Sequence, residues 1–328
     1  MARTPGTKLV SPPGREIRYL RISVTDLCNL RCIYCMPPEG VPLLPHNEIL
    51  TFEEIALVAR RAAGLGIQHI RLTGGEPLVR KDIDKLVRML ASITGISDFS
   101  LTTNGILLPG LAARLKAAGL KRITLSIDTL DEQKYARITR GGRLADALAG
   151  LAAAKAAGFE NIKVNCVAMC GINDDEIPSF VHLADREDIE VRFIELMPVG
   201  NRALAERGLF LPAAEIKKRL EKMGRLIPAR SSKGGGPAVV YEIEGRHGKI
   251  GLITAVSQPF CSRCNRLRLT AEGKLRSCLL AGGEVDLKPI LRERRDPALI
   301  DAAFFEAARA KPECYKYADV VLMSRIGG

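Results

Sequence analysis

Short β-rich runs alternate with Ala/Leu-rich runs along the first two-thirds of the chain. Residues 18–24, 67–72, 98–102, 122–127, 162–167 and 190–194 have the length and branched composition of strands. Residues 51–63, 81–91, 109–118, 144–157 and 174–184 carry helical patterns between them. Thr51 with Glu54 three residues on predicts a capping box at the first helix. Gly66, Gly95, Gly119 and Gly158 stand where helix C-terminal caps belong.

This alternation predicts a parallel sheet. Residues 1–205 are read as a partial (βα)6 barrel of the TIM type, within the α/β class. The chemically suggestive residues fall just after the strands: a cysteine group after the first, Thr73-Gly-Gly-Glu-Pro77 after the second and Thr103-Asn-Gly105 after the third. Parallel barrels collect their sites at that rim. A doubly wound sheet also binds ligands at strand ends, so the rim favours the barrel without excluding the alternative. Beyond about residue 201 the rhythm fades. A Gly-rich stretch at 231–237, a hairpin from Val239–Ile243 and Lys249–Ile253, a second cysteine group and a helical run near 298–310 suggest an α+β, cluster-binding extension over residues 206–328.

Composition narrows the class. Hydrophobic residues make up 47% and charged residues 26%, ordinary for a globular chain. The longest apolar stretch, 147–154, is too short to span a bilayer. Residues 1–18 mix charge, Pro and Gly without an apolar run, so no signal peptide is expected. The expectation is a soluble cytoplasmic protein that does not engage a membrane. A formal net charge of +12 favours an anionic partner, either a polyphosphate nucleotide or nucleic acid. Aromatics at 5% and the absence of Trp weaken a single-strand stacking platform.

The nine cysteines change the picture most. Disulfides are unexpected in a reducing compartment, where clumped thiols usually bind metal. Cys28, Cys32 and Cys35 form one group, and Cys261, Cys264 and Cys278 form another. Structural zinc wants four ligands. His46 near the first group or His247 near the second leaves that reading open. A four-iron cluster normally takes four thiolates; three leave one iron free to bind another molecule. Cys166, Cys170 and Cys314 read as small buried hydrophobes.

Cys-x3-Cys-x2-Cys after an early strand, with Tyr34 before the last cysteine and Gly74-Gly75-Glu76-Pro77 downstream, resembles the radical S-adenosylmethionine superfamily. The resemblance implies a four-iron cluster whose open iron is chelated by S-adenosylmethionine, which is then split to a 5′-deoxyadenosyl radical. Cys261-x2-Cys264-x13-Cys278 is similar to the second cluster motif of the GTP 3′,8-cyclases, and that similarity runs from about Arg15 to the final Gly-Gly. It implies two 4Fe-4S clusters, the second offering its open iron to guanine. For S-adenosylmethionine it implies contacts from Tyr34, Gly75, Ser126 and Met197. For GTP it implies Arg21, Arg71, Thr102, Lys163 and the Arg266-Leu267-Arg268 segment. The implied reaction removes hydrogen from ribose C3′ and joins that carbon to guanine C8. The product, (8S)-3′,8-cyclo-7,8-dihydroguanosine 5′-triphosphate, then passes to cyclic pyranopterin monophosphate synthase in molybdenum cofactor biosynthesis. The family also implies a homodimer, and no nucleic acid as partner.

Two other readings fit parts of the pattern. One is a radical enzyme of the peptide-maturase type, though those usually carry more C-terminal cysteines. The other is a basic zinc protein that binds nucleic acid. Terminal glycines such as Gly327 and Gly328 ordinarily mean a disordered end. The family's Gly-Gly ending suggests instead a tail that threads the barrel and orients Arg21 or a neighbouring GTP-binding arginine.

Overall fold

The computed structural model describes residues 8–200, 208–231, 236–294, 296–315 and 323–327. The predicted position Gly328, and most of the Gly-rich stretch, lie outside the described residues. A two-stranded ladder, β1 (Val10–Ser11) with β2 (Arg15–Glu16), precedes the main sheet. Six parallel strands follow: β3 (Tyr19–Ser23), β4 (His69–Thr73), β5 (Asp98–Thr103), β6 (Arg122–Ser126), β7 (Lys163–Ala168) and β8 (Glu190–Glu195). Helices α1 (Phe52–Gly64), α2 (Ile83–Ala91), α3 (Ala112–Ala117), α4 (Glu132–Thr139), α5 (Leu144–Ala156) and α6 (Ile177–Glu187) connect them. This is the expected partial barrel.

The remaining elements are α7 (Ala213–Glu221), β9 (Leu226–Ala229), β10 (Val239–Ile243), β11 (Lys249–Ile253), β12 (Arg266–Leu269), β13 (Lys274–Arg276), β14 (Glu284–Asp286), α8 (Pro297–Arg309) and the short α9 (Met323–Ile326). The β10–β11 hairpin forms as expected. The C-terminal strands add to the barrel sheet at both edges. β11 lies parallel to β8 and β12 parallel to β3, giving one sheet in the order β14-β13-β12-β3-β4-β5-β6-β7-β8-β11-β10-β9. The second cysteine group is thereby carried round to the edge next to β3, the strand that leads into the first.

Period-two alternation explains how the strands divide their faces. Leu20, Ile22, Ile70, Leu72, Phe99, Leu101, Ile123 and Leu125 are buried among the helices in one core. The intervening residues, including Arg21, Arg71 and Ser126, line the interior. At the helix ends, Thr51 and Glu54 make the capping box, and Gly66, Gly95, Gly119 and Gly158 take positive φ between +75° and +100°.

The pattern hid two features. Helix α4 is polar, and begins where Asp131 Oδ1 accepts Lys134 N–H at 2.8 Å. Cys314 is exposed, which corrects its reading as a buried hydrophobe, whereas Cys166 is buried. Cys314 lies near Cys261, whose pKa is raised by burial and further by the Cys314 sulfur.

Helix α5 approaches the turn after β5 so closely that a Cβ on Gly150 would collide with the Gly105 carbonyl. Gly150→Ala therefore gains helix propensity of about 1 kcal/mol but forces a backbone shift costing about 1–3 kcal/mol. A lower melting temperature is expected in a thermal scan; a rise would mean the contact can relax freely.

Candidate active site

One cavity of about 340 Å³ occupies the barrel interior at the C-terminal ends of the strands. Both cysteine groups line it, Cys28, Cys32 and Cys35 from one side and Cys261, Cys264 and Cys278 from the other. The first group lies in the long β3–α1 connection. Its backbone is fastened to the end of α4, where Arg31 N–H donates to the Thr139 carbonyl at 3.0 Å and Ile33 N–H to the Ile138 carbonyl at 2.9 Å. Arg140 clamps the same loop by donating to the Met36 carbonyl at 2.7 Å. The second group starts in a tight turn held by Arg15, which donates to the Cys261 carbonyl at 2.7 Å.

The thiols are poorly suited to remain as bare thiolates. Burial pushes Cys28 up to about 11 and Cys35 up to about 12, and raises Cys32 well above the usual thiol range. Three thiolates this close need a compensating cationic centre, which an iron–sulfur core provides. At Cys264 burial opposes ionisation, but Lys311 and Arg266 outweigh it and the pKa falls. Among the described residues no group of His, Cys, Asp or Glu side chains is arranged to hold a single metal ion. His247 lies at the β10–β11 turn, its backbone N–H held by Asp185 at 2.9 Å, and does not reach the cavity wall.

Strand register builds the cationic wall. Arg268, Arg21 and Arg71 are direct partners across β12, β3 and β4, so their side chains form one row on the interior face. Arg71 is buttressed by Ser100 Oγ at 3.1 Å and Thr102 Oγ1 at 3.3 Å. Burial, then repulsion from Arg268, Arg71 and Arg266, pushes Arg21 well below the ordinary arginine range. Burial and Arg266 push Arg268 down to about 10. Such crowding is relieved by a polyanion.

A second row is formed by Ser126, Asn165 and Arg192 across β6, β7 and β8. Asn165 Oδ1 is buried with no hydrogen-bond partner among the described residues, an acceptor directed at the cavity it lines. Near the thiols, Tyr34 donates its hydroxyl proton to Asp128 Oδ2 at 2.7 Å, while Asp128 Oδ1 accepts Val167 N–H at 2.8 Å. Gly75 packs so tightly on the Leu27 carbonyl that any Cβ would collide, which lets Gly75 N–H donate to the Thr25 carbonyl at 2.8 Å. Glu76 accepts from Thr103 Oγ1 at 2.6 Å and Asn104 N–H at 2.7 Å, and burial still raises it to about 7.

The structure thus brings Tyr34, Gly75, Ser126, Met197, Arg21, Arg71, Thr102, Arg266 and Arg268 to one cavity with all six cysteines. Two expected residues are placed elsewhere. Leu267 faces the helix-side core and is fully buried. Lys163 is not among the cavity-lining residues: it shares the interior face of β7 with Asn165, two residues nearer the strand's start, and donates to Ser231 Oγ at 3.0 Å beside Glu190. Asn165, Asp128 and Arg192 line the cavity without having been expected. Arg192 carried a readable signal, because Val-Arg-Phe in β8 repeats the lone mid-strand arginine of Leu-Arg-Ile in β3 and Ile-Arg-Leu in β4.

The tail also reaches the site. Gly327 packs where any Cβ would strike the Thr73 hydroxyl, and its carbonyl accepts from Arg268.

Residues 22–184 match the family model described as Radical SAM superfamily, and residues 189–317 match Molybdenum Cofactor Synthesis C. A GTP 3′,8-cyclase of Pelotomaculum thermopropionicum is 51% identical over 96% of this chain and 98% of its own. The chain belongs to the GTP 3′,8-cyclase family. The same-named protein of Moorella thermoacetica is 50% identical over 96% of this chain and 98% of its own. The fold resembles that of Streptococcus suis SuiB bound to S-adenosylmethionine, with a TM-score of 0.60 at 15% identity over 81% of this chain and 61% of that one. As a member of this family the chain is a radical S-adenosylmethionine protein of molybdenum cofactor biosynthesis. No described helix is long and apolar enough to cross a membrane.

Proposed function

We propose that this chain converts GTP to (8S)-3′,8-cyclo-7,8-dihydroguanosine 5′-triphosphate. The observation that carries this reading is the opening of two three-thiol sets and an arginine row onto one cavity. The thiol sets fit their groups: each brings three cysteines to the cavity, one fewer than the four thiolates a 4Fe-4S cluster normally takes. Cys28, Cys32 and Cys35 would hold one 4Fe-4S cluster and Cys261, Cys264 and Cys278 the other. When bound, the clusters and S-adenosylmethionine supply one-electron chemistry and an open iron for the purine.

The chain's own residues bind, orient and shield. Tyr34, fixed by Asp128, takes the adenine side of S-adenosylmethionine, together with Gly75, Ser126 and Met197; the free Asn165 acceptor adds a polar contact. Arg21, Arg71, Arg266 and Arg268 take the triphosphate, with Thr102 holding Arg71 in place. Arg192 contributes a cation from the opposite row, and Lys163 supports it through Ser231, to which both donate. Leu267 contributes packing that sets its two flanking arginines on the interior face. Leu196, Val199 and Leu280 line the wall and help exclude water from a reaction that bulk solvent would divert. We further assign the product to a cyclic pyranopterin monophosphate synthase and the working form to a cytoplasmic homodimer.

Anaerobically purified protein is expected to hold about eight irons per chain. Cys32→Ala is expected to retain about half of them and to lose S-adenosylmethionine cleavage, measured as 5′-deoxyadenosine release. Undiminished cleavage by that variant would overturn the assignment of the first thiol set.

A further inference from the structure

Lys311 follows α8 and is only 4% exposed. A lysine is rarely buried so fully without a partner, and the anions facing this one are the Cys264 and Cys278 sulfurs when ionised. An ammonium has three N–H donors. One goes to the Arg266 carbonyl at 2.9 Å and one to the Ser277 carbonyl at 2.8 Å. Its charge also favours the Cys264 thiolate against the cost of burial. Arg266 lies two residues after Cys264, and Ser277 immediately precedes Cys278. The third segment is tied in from behind, because Arg15 donates to the Lys311 carbonyl at 3.1 Å and to the Cys261 carbonyl at 2.7 Å. One buried side chain with its arginine partner therefore touches all three cysteine segments of the second set.

An apolar residue would fill this position without the cost of burying a charge. The lysine is accounted for if the sulfurs it faces carry negative charge in the working protein. Groups that fasten the segments bearing ligating atoms fix ligand geometry and shift the metal's electronics, and positive charge near cluster sulfurs favours the reduced state. We propose that Lys311 is a positioning residue for the second thiol set, fixing Cys264 against Cys278 and raising the reduction potential of the cluster they hold. This rests on the reading that the second set carries an iron–sulfur cluster.

The test compares wild-type protein with Lys311→Met and Lys311→Arg, all reconstituted anaerobically. The readouts are iron and sulfide content and an EPR-monitored redox titration of each cluster. In Lys311→Met the first cluster should keep its signal and its spectral change on adding S-adenosylmethionine. The second cluster should either be lost, taking about half the iron with it, or titrate at a more negative potential. Lys311→Arg, which keeps charge and donors, should recover part of the loss or shift. Three results would overturn the proposal: an unchanged or more positive second potential in Lys311→Met, loss of both clusters in that variant, or no recovery by Lys311→Arg. Wild-type protein with a single cluster would instead overturn the underlying reading of the second thiol set, and this proposal with it.

Discussion

Cys264→Ala is expected to leave S-adenosylmethionine cleavage running and to stop GTP cyclisation. The two thiol sets sit on separate segments, the first fastened to α4 through Thr139 and Ile138, the second to Arg15 and Lys311. Removing one sulfur from the second set leaves the fastening of the first untouched. The substrate would then keep its triphosphate contacts but lose the anchor for its base. A misplacement near 1 Å can cost about 100-fold in rate, and loss of the anchor displaces the guanine further, so product formation should fall by more than about 100-fold. The assay measures 5′-deoxyadenosine and cyclised nucleotide in the same reaction: the first should persist, uncoupled, while the second vanishes. Normal cyclised product from Cys264→Ala would reduce the second cysteine group to a structural role.

Much of this arrangement was legible in the chain because it is local. The cysteine spacings, the capping box at Thr51 and the Gly-Gly-Glu-Pro turn are each set within a few residues, and the strand pattern follows from period-two burial. What escaped was long-range or polar. Strand β12 was hidden because Arg-Leu-Arg-Leu is short and half charged, and only its parallel pairing with β3 shows why: its leucines join the helix-side core while its arginines extend the row begun by Arg21 and Arg71. Helix α4 was missed because it carries too few apolar residues to stand out, although Tyr135 and Ile138 are buried. Asp128 was not expected at the site, since nothing in the sequence reveals that Tyr34, 94 residues earlier, donates to it. Lys163 shows the reverse limit. Its motif match was clear, yet burial and Arg192 press it down to about 7, and it pairs with Ser231 and Glu190 on the interior face without lining the cavity.

Deleting Gly327 and Gly328 should collapse GTP cyclisation while sparing both clusters and the melting temperature. Gly328 lies outside the described residues; Gly327 carries the contacts. Helix α9 turns the chain into the cavity mouth, where Ser324 and Ile326 are buried and Gly327 N–H closes onto the Met323 carbonyl at 3.0 Å. Gly327 adopts φ +74° with its Cα against Thr73, two demands that a residue with a Cβ meets poorly. Its carbonyl then takes a guanidinium N–H of Arg268, the arginine paired in register with Arg21. Without that acceptor Arg268 loses its fixed direction under repulsion from Arg266 and Arg276. A hydrogen bond to a charged group is worth about 1.5–3 kcal/mol, so catalytic efficiency toward GTP should fall roughly 10- to 100-fold. The KM for GTP should rise, because the triphosphate meets a disordered cation. Folding should change little, since the bond fixes an arginine and not the core. Gly327→Val tests the same point without shortening the chain: its side chain would push against Thr73 and withdraw the carbonyl from Arg268. An unchanged KM and undiminished cyclised product in both variants would leave the tail a passive end of the chain.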